Sequence, residues 1–308
     1  MRLSRRELLA CAAAAALPVH AQQFPPSSHT ANGPKARTSP AVCLYSAVMG
    51  KLAYDELGMM LRDTGLDGLN LTVWNGGQVD TSDADLHMFR SVEATTGAGL
   101  DVPIISTHYV NLTEPTIRTV LGICSEMGVP LFRSGEWHYG NAPDPQARLG
   151  EVQRDVMGLA SIARAAKMTV VIQNLTGDSV GAPVWDMNLI LRALDPQSAG
   201  WDFDIGNATA EGGAGGWAIA LRLAMQRLKA VSVRDFYWLK DGASWKLNPC
   251  PLGQGMVDWN TFFSTLAAAH FAGPLTIHMD YQPQSLMAAL HHDIDFVRKG
   301  LNAAYGLQ

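Results

Sequence analysis

From residue 41 onward the chain repeats one unit eight times: a short apolar run rich in β-branched residues, then a longer amphipathic stretch. The runs are AVCLYS (41–46), GLNLTVW (68–74), VPIISTH (102–108), VPLFRSG (129–135), TVVIQN (169–174), GWDFDI (200–205), AVSVRDF (230–236) and PLTIHMDY (274–281). Runs of this length and composition read as strands buried on both faces. Between them, YDELGMMLRDTG, TEPTIRTVLGICSEMG and ARLGEVQRDVMGLASIARAAK read as helices. In the last, Leu149, Val152, Val156, Leu159 and Ile162 recur at helical spacing. Glu114-Pro115 and Asp144-Pro145 mark helix starts. Eight strand–helix units over roughly 260 residues match the arithmetic of a (β/α)8 TIM barrel of residues 41–308. An open doubly wound α/β sheet is the alternative. It is weakened because no Gly-x-Gly-x-x-Gly follows the first strand.

The chain ahead of this repeat reads differently. MRLSRRELLACAAAAALPVHAQQ has a basic start, an alanine-rich apolar centre and a small-residue site at Val19-His20-Ala21. Arg5-Arg6 followed by Glu7-Leu8-Leu9 reads as a twin-arginine export signal; the plainer alternative is a general secretory signal with two chance arginines. The apolar run is shorter than the roughly 20 residues of a membrane span. Residues 1–21 are therefore expected to be a signal peptide, and the protein periplasmic or secreted. QQFPPSSHTANGPKARTSP (22–40) reads as a disordered leader.

Cleavage after Ala21 would remove three arginines and one glutamate, taking the formal net charge from −5 to −7. An acidic exported chain is a poor partner for nucleic acid, which needs clustered Lys and Arg. Cys43, Cys124 and Cys250 remain; an odd number with no paired spacing argues for reduced, buried thiols rather than a disulfide framework.

PLTIHMDY shows where the chemistry collects. Alternation along a barrel strand turns Leu275, Ile277 and Met279 to the helices, and Thr276, His278 and Asp280 to the lumen. The strands' C-terminal ends line the mouth, where barrel active sites sit. In chain order they bring Tyr45 and Ser46; Trp74 and Gln78; Thr107, His108 and Tyr109; Arg133, Glu136, Trp137 and His138; Gln173 and Asn174; Asp204 and Asn207; Ser232, Arg234 and Asp235; then His278 and Asp280. Aromatic faces beside amides and carboxylates suit a sugar, whose C–H faces stack and whose hydroxyls pair. Each residue also has a plainer reading: His138 as loop surface, Asp235 as a cap, Arg133 as the balance of a carboxylate inside the barrel. Asp204 and His278 resist that reading best; a carboxylate ending an aromatic-rich strand is costly to bury unpaired, and metal or substrate contact would explain it.

DGLNLTVWNGGQVD, VIQNLTGDSVGAPVWD, DFDIGNATAEGG, VSVRDFYW, CPLGQGMVDW and GPLTIHMDY resemble the xylose-isomerase-like barrel superfamily, over about residues 41–300. That group holds sugar isomerases, sugar epimerases and the endonuclease IV type of repair enzyme. Gly-x-Gly-x-Val-Asp-Trp followed by a helix and Gly-Pro-Leu-x-Ile is similar to its sugar-acting branch, and to an exported subgroup within it. The resemblance implies a divalent metal held by Glu, Asp, His and Glu at the ends of strands five to eight. Those positions here are Gln173, Asp204, Ser232 and His278, so Asp204 alone keeps the family's residue type. One carboxylate disfavours a hard cation. The expectation is one borderline ion (Mn²⁺, Zn²⁺ or Co²⁺) on Gln173, Asp204 and His278, with His108 as a further ligand by strand order, or no metal.

Three functions follow from this. The first is a sugar isomerase or epimerase that removes a proton beside a carbonyl. Glu136 or Asp235 would be its base, Arg234 or His108 its electrophilic helper, and Trp74, Tyr109, Asn174 and Asn207 its substrate contacts. The second is a lyase acting by β-elimination on a 3-keto-glycoside, which shares the first step. The third is a sugar-binding protein on a degenerate metal site. All take a small carbohydrate as partner, and the oligomeric state is left open. An ordinary imidazole pKa of about 6.5 at His278 would make ligand binding weaken as pH falls through about 6.

Overall fold

The computed structural model describes residues 37–307. In chain order its main elements are β1 (Ala41–Tyr45), α1 (Tyr54–Leu61), β2 (Gly68–Val73), α2 (Ala84–Gly97), β3 (Asp101–Thr107), α3 (Ile117–Glu126), β4 (Leu131–Arg133), α4 (Pro145–Ala165), β5 (Thr169–Gln173), α5 (Val184–Leu191), β6 (Ala199–Asp204), α6 (Ile205–Ala224), β7 (Leu228–Val233), β8 (Asp235–Asp241), β9 (Ser244–Cys250), α7 (Trp259–Ala268), β10 (Pro274–Ile277) and α8 (Leu286–Tyr305). Eight parallel strands close into a barrel in the order β1-β10-β7-β6-β5-β4-β3-β2, with β1 bonded to both β10 and β2. The fold is a (β/α)8 barrel, and each of the eight apolar runs contributes one barrel strand.

Alternation sorts the side chains as the pleat requires. Leu275, Ile277 and Met279 join the large apolar layer between strands and helices, with Trp201, Phe132, Phe203 and Phe262. A second, small cluster of Ile104, Leu131, Val171 and Ala230 stands apart from that layer. Ile104 and Leu131 are register partners, and the cluster fills the barrel interior. Polar residues share the lumen: Ser106 Oγ donates to Asn70 Oδ1 at 2.8 Å, and Ser232 Oγ donates to Asp202 at 2.9 Å.

The N-terminal edge is pinned by Asp67. It accepts from the Val42 amide (2.8 Å) and pairs with Arg298 (2.7 Å) and Arg37 (3.2 Å). Residues 37–40, expected as the tail of the leader, thus run directly into β1. The signal peptide and the rest of the leader lie outside the described residues. Cys43, Cys124 and Cys250 are free and buried, and burial pushes the Cys250 thiol up to about 11 and Cys124 to about 12. Among the described residues no helix is long and apolar enough to cross a membrane.

The eightfold repeat did not anticipate the antiparallel hairpin β8–β9, which leaves the barrel after β7. Its two-residue turn is Gly242-Ala243, with glycine at the first central position and φ 60°, the glycine-first pattern of a tight hairpin. Asp235 anchors its base. This carboxylate, 2% exposed, accepts from the amides of Phe236 (2.9 Å), Gly253 (2.9 Å), Gly255 (3.0 Å) and Val257 (3.3 Å), and from Trp259 Nε1 (3.0 Å). That network gives Gly-x-Gly-x-Val-Asp-Trp its physical meaning. A Cβ at Gly255 would lie 2.1 Å from Asp235 Oδ1, so glycine alone lets the backbone reach the carboxylate. Asp258 then caps α7 through the Thr261 amide (3.1 Å). Asp235→Ala should strip five donors of their acceptor and destabilise the fold by about 3 kcal/mol in chemical denaturation. A loss under about 1 kcal/mol would contradict this role.

Candidate active site

Six strand ends converge on one cavity of ≈260 Å³, lined by Tyr45, Arg133, Glu136, Gln173, Asn207, Arg234, His278 and Asp280, with Leu175, Thr176 and Ser179 along one side. The strands deliver these side chains because each ends with an inward position at the mouth. β4 ends on Arg133, β5 on Gln173 and β6 on Asp204, while Arg234 and His278 directly follow β7 and β10.

Asp204 is the hub. It is fully buried and caps α6, with Oδ1 accepting the Asn207 amide at 2.9 Å. Its Oδ2 accepts from Arg234 Nε at 2.7 Å and, more weakly, from Gln173 Nε2 at 3.4 Å. Burial pushes its pKa up, against the opposing pull of the Arg234 charge. Arg234 reaches on to Asp280, so one guanidinium joins two carboxylates.

Arg133 behaves differently. It is 7% exposed, and its guanidinium donates to Gln173 Oε1 and to Tyr45 Oη (3.3 Å), both neutral. Its Cζ lies 5.2 Å from the centre of the Tyr45 ring. The same ring stacks on His278 at 4.3 Å. His278 Nε2 is buried and has no hydrogen-bond partner. Deeper in the barrel, burial raises Asp202 to about 6, opposed first by the Arg133 charge.

The structure therefore gathers Glu136, Gln173, Asp204, Asn207, Arg234 and His278 at one place. It places five other candidates outside the cavity lining. Asp235 is consumed by its five donors and is not a base. Tyr109, 4% exposed, faces the core and shares a hydrogen bond with Thr116 Oγ1 (2.9 Å), so it does not meet a ligand. Asn174 clamps the Asp204 backbone with both ends of its amide (2.9 and 2.8 Å), a positioning role. Trp74 and His108 stack on each other at 4.0 Å, outside the cavity lining. Asp202 was missed. Its signal was Asp202-Phe203-Asp204, two carboxylates on one face of one strand.

The expected metal set does not fit. Gln173 Oε1 and Asp204 Oδ2 each accept from a guanidinium, and Ser232 turns its hydroxyl down to Asp202. Among the described residues no group of three or more His, Cys, Asp or Glu could hold a metal ion. Arg133 and Arg234 occupy the Gln173 and Asp204 oxygens and put positive charge where a divalent ion would bring it.

The sequence profile described as xylose isomerase-like TIM barrel matches residues 60–300. The chain belongs to the xylose isomerase-like TIM barrel family. No curated protein matches it. Among solved structures it is similar to the apo form of the 3-keto-D-glucoside 4-epimerase YcjR from E. coli, at 15% identity and TM-score 0.67, covering 85% of this chain and 100% of that one. A xylose isomerase-like TIM barrel protein from Mycobacterium smegmatis in complex with magnesium matches at 13% identity and TM-score 0.67, over 87% and 97% of the two chains. An L-ribulose 3-epimerase matches at 16% and 0.63, over 86% and 95%. At these identities the likeness is one of fold.

Burial, then the charges of Arg234 and Arg133, hold the His278 imidazole well below its ordinary 6.5. The expected weakening of binding near pH 6 therefore moves to lower pH. The sign for stability follows from proton counting: below about 6.5 the unfolded state binds a proton that the folded state does not. Stability from this group is complete above that pH and is lost on acidification. The thermal midpoint should fall from pH 7.5 to 5.5, and fall less in His278→Phe, which keeps the Tyr45 stack. Equal falls in both proteins would contradict the assignment.

Proposed function

We propose that this protein is a sugar epimerase- or isomerase-like enzyme that removes a proton beside a carbonyl at the barrel mouth. The observation that carries the reading is Glu136. It is exposed on the same cavity as Arg133, Arg234 and His278, and makes no hydrogen bond or ion pair among the described residues. A free carboxylate facing fixed N–H donors is the pairing that enolisation needs. Glu136 takes the C–H proton, and guanidinium N–H groups stabilise the oxygen that becomes negative. Returning the proton to the other face gives an epimer; returning it to the neighbouring carbon gives an isomer. The epimerases of the same fold support a sugar as substrate. The twin-arginine reading of the N-terminus would put this chemistry outside the cytoplasm.

Incubation in D2O with a 3-keto-glucoside, D-allulose or L-ribulose tests the proposal. Deuterium should enter beside the carbonyl, and Glu136→Gln should slow that exchange by about 100-fold or more. Product analysis distinguishes reprotonation from loss of an aglycone, the lyase outcome. Sugar binding without exchange would make the chain a binding protein and overturn the reading.

A further inference from the structure

Resting on a sugar bound at this mouth, the arrangement around Arg133 narrows the class of sugar. We infer that the ligand is an acidic sugar, of the uronate or aldonate type, whose carboxylate seats on the Arg133 guanidinium with no metal between them.

The two arginines of the cavity are not equivalent. Arg234 is bonded to Asp204 and Asp280. Arg133 is the more buried, at 7% exposed, yet no carboxylate among the described residues lies within ion-pair distance of it. Both of its hydrogen bonds go to neutral oxygens, those of Gln173 and Tyr45. Asp202, the carboxylate deeper in the barrel, bonds to Ser232 (2.9 and 3.1 Å) and Gln173 (3.5 Å) instead. A buried cation is costly without a counter-ion. Arginine carries five N–H groups in a planar fork, and two are engaged here. Those remaining match the two oxygens of a carboxylate.

A second observation points into the same cavity. His278 is 3% exposed, and its Nε2 has no partner. The ring is held against Tyr45, whose face also meets Arg133. A sugar placed with its carboxylate on Arg133 brings a neighbouring hydroxyl to this nitrogen. Of the acidic groups facing the ligand, Asp280 is bonded to Arg234, which leaves Glu136 free as base. The cavity of ≈260 Å³ lies just under the ~300–1,000 Å³ common for small-molecule sites, and suits one sugar ring.

Isothermal titration of the wild-type protein compares D-glucuronate, D-galacturonate and D-gluconate with D-glucose, D-galactose and D-glucitol at low salt. At least one acid should bind tenfold or more tighter than its neutral counterpart. Arg133→Met should abolish that preference, and Arg133→Lys should retain part of it, with folding checked by thermal melting. If Arg133→Met does not fold, the wild-type comparison and Arg133→Lys carry the test. Acids binding no tighter than neutral sugars, or an Arg133→Met protein that keeps the preference, would overturn the inference. If neutral keto-sugars still exchange deuterium in that case, the proposed reaction stands and this inference alone fails. If no sugar of either kind binds, both fail.

Discussion

The buried ion pair between Asp204 and Arg234 is the interaction on which the mouth depends. A carboxylate with no exposure is expensive to ionise, and burial pushes its pKa up. Three groups offset that cost: the Arg234 guanidinium, the Asn207 amide at the start of α6, and the partial positive charge of that helix terminus. Asn174 holds the backbone of Asp204 from both sides, so the carboxylate has one position. Arg234 is fixed in turn and carries Asp280 with it. Gln173 connects this half of the mouth to Arg133.

Two guanidinium groups do a different job from a metal ion. A divalent ion gathers oxygens from all sides and acts as a Lewis acid. A guanidinium offers directional N–H donors in one plane, suited to a carboxylate or a forming enediolate oxygen. Burial, aided by the same charge that favours such oxygens, keeps His278 neutral, so its ring can pair with a hydroxyl without competing for the anion. Gln173 and His278, which look like losses when set against the family's ligand pattern, are coherent once the arginines are counted. An amide bridges cation and carboxylate, and a neutral imidazole sits beside two cations.

The barrel was legible because buried parallel strands are short, apolar and β-branched, and eight of them recur at even spacing. The hairpin β8–β9 was not. AVSVRDF (230–236) reads as a single barrel strand, whereas Asp235 and Phe236 begin the hairpin, whose turn is marked by Gly242. The site was legible in position more than in direction. Strand alternation correctly turned Thr276 and His278 inward. Alternation carries one residue past the strand, to Arg234 and His278, and beyond that the pleat no longer dictates where a side chain points. Tyr109 thus turned out to the core and Asp235 to the loop around Gly255. Arg133 was seen, but its importance depends on having no carboxylate partner, a fact of three dimensions that no spacing encodes. Residue-by-residue transfer of a metal site does not register the two arginines that bond to it, Arg133 from the end of β4 and Arg234 two residues past Ser232.

Metal content is the most direct test of the claim that arginines, rather than a divalent ion, provide the positive charge of this mouth. Elemental analysis of purified protein after dialysis against Mn²⁺, Zn²⁺ or Co²⁺ should find metal far below one ion per chain, with no change in thermal midpoint on adding chelator. One tightly held ion per chain, lost in Asp204→Asn, would contradict the account.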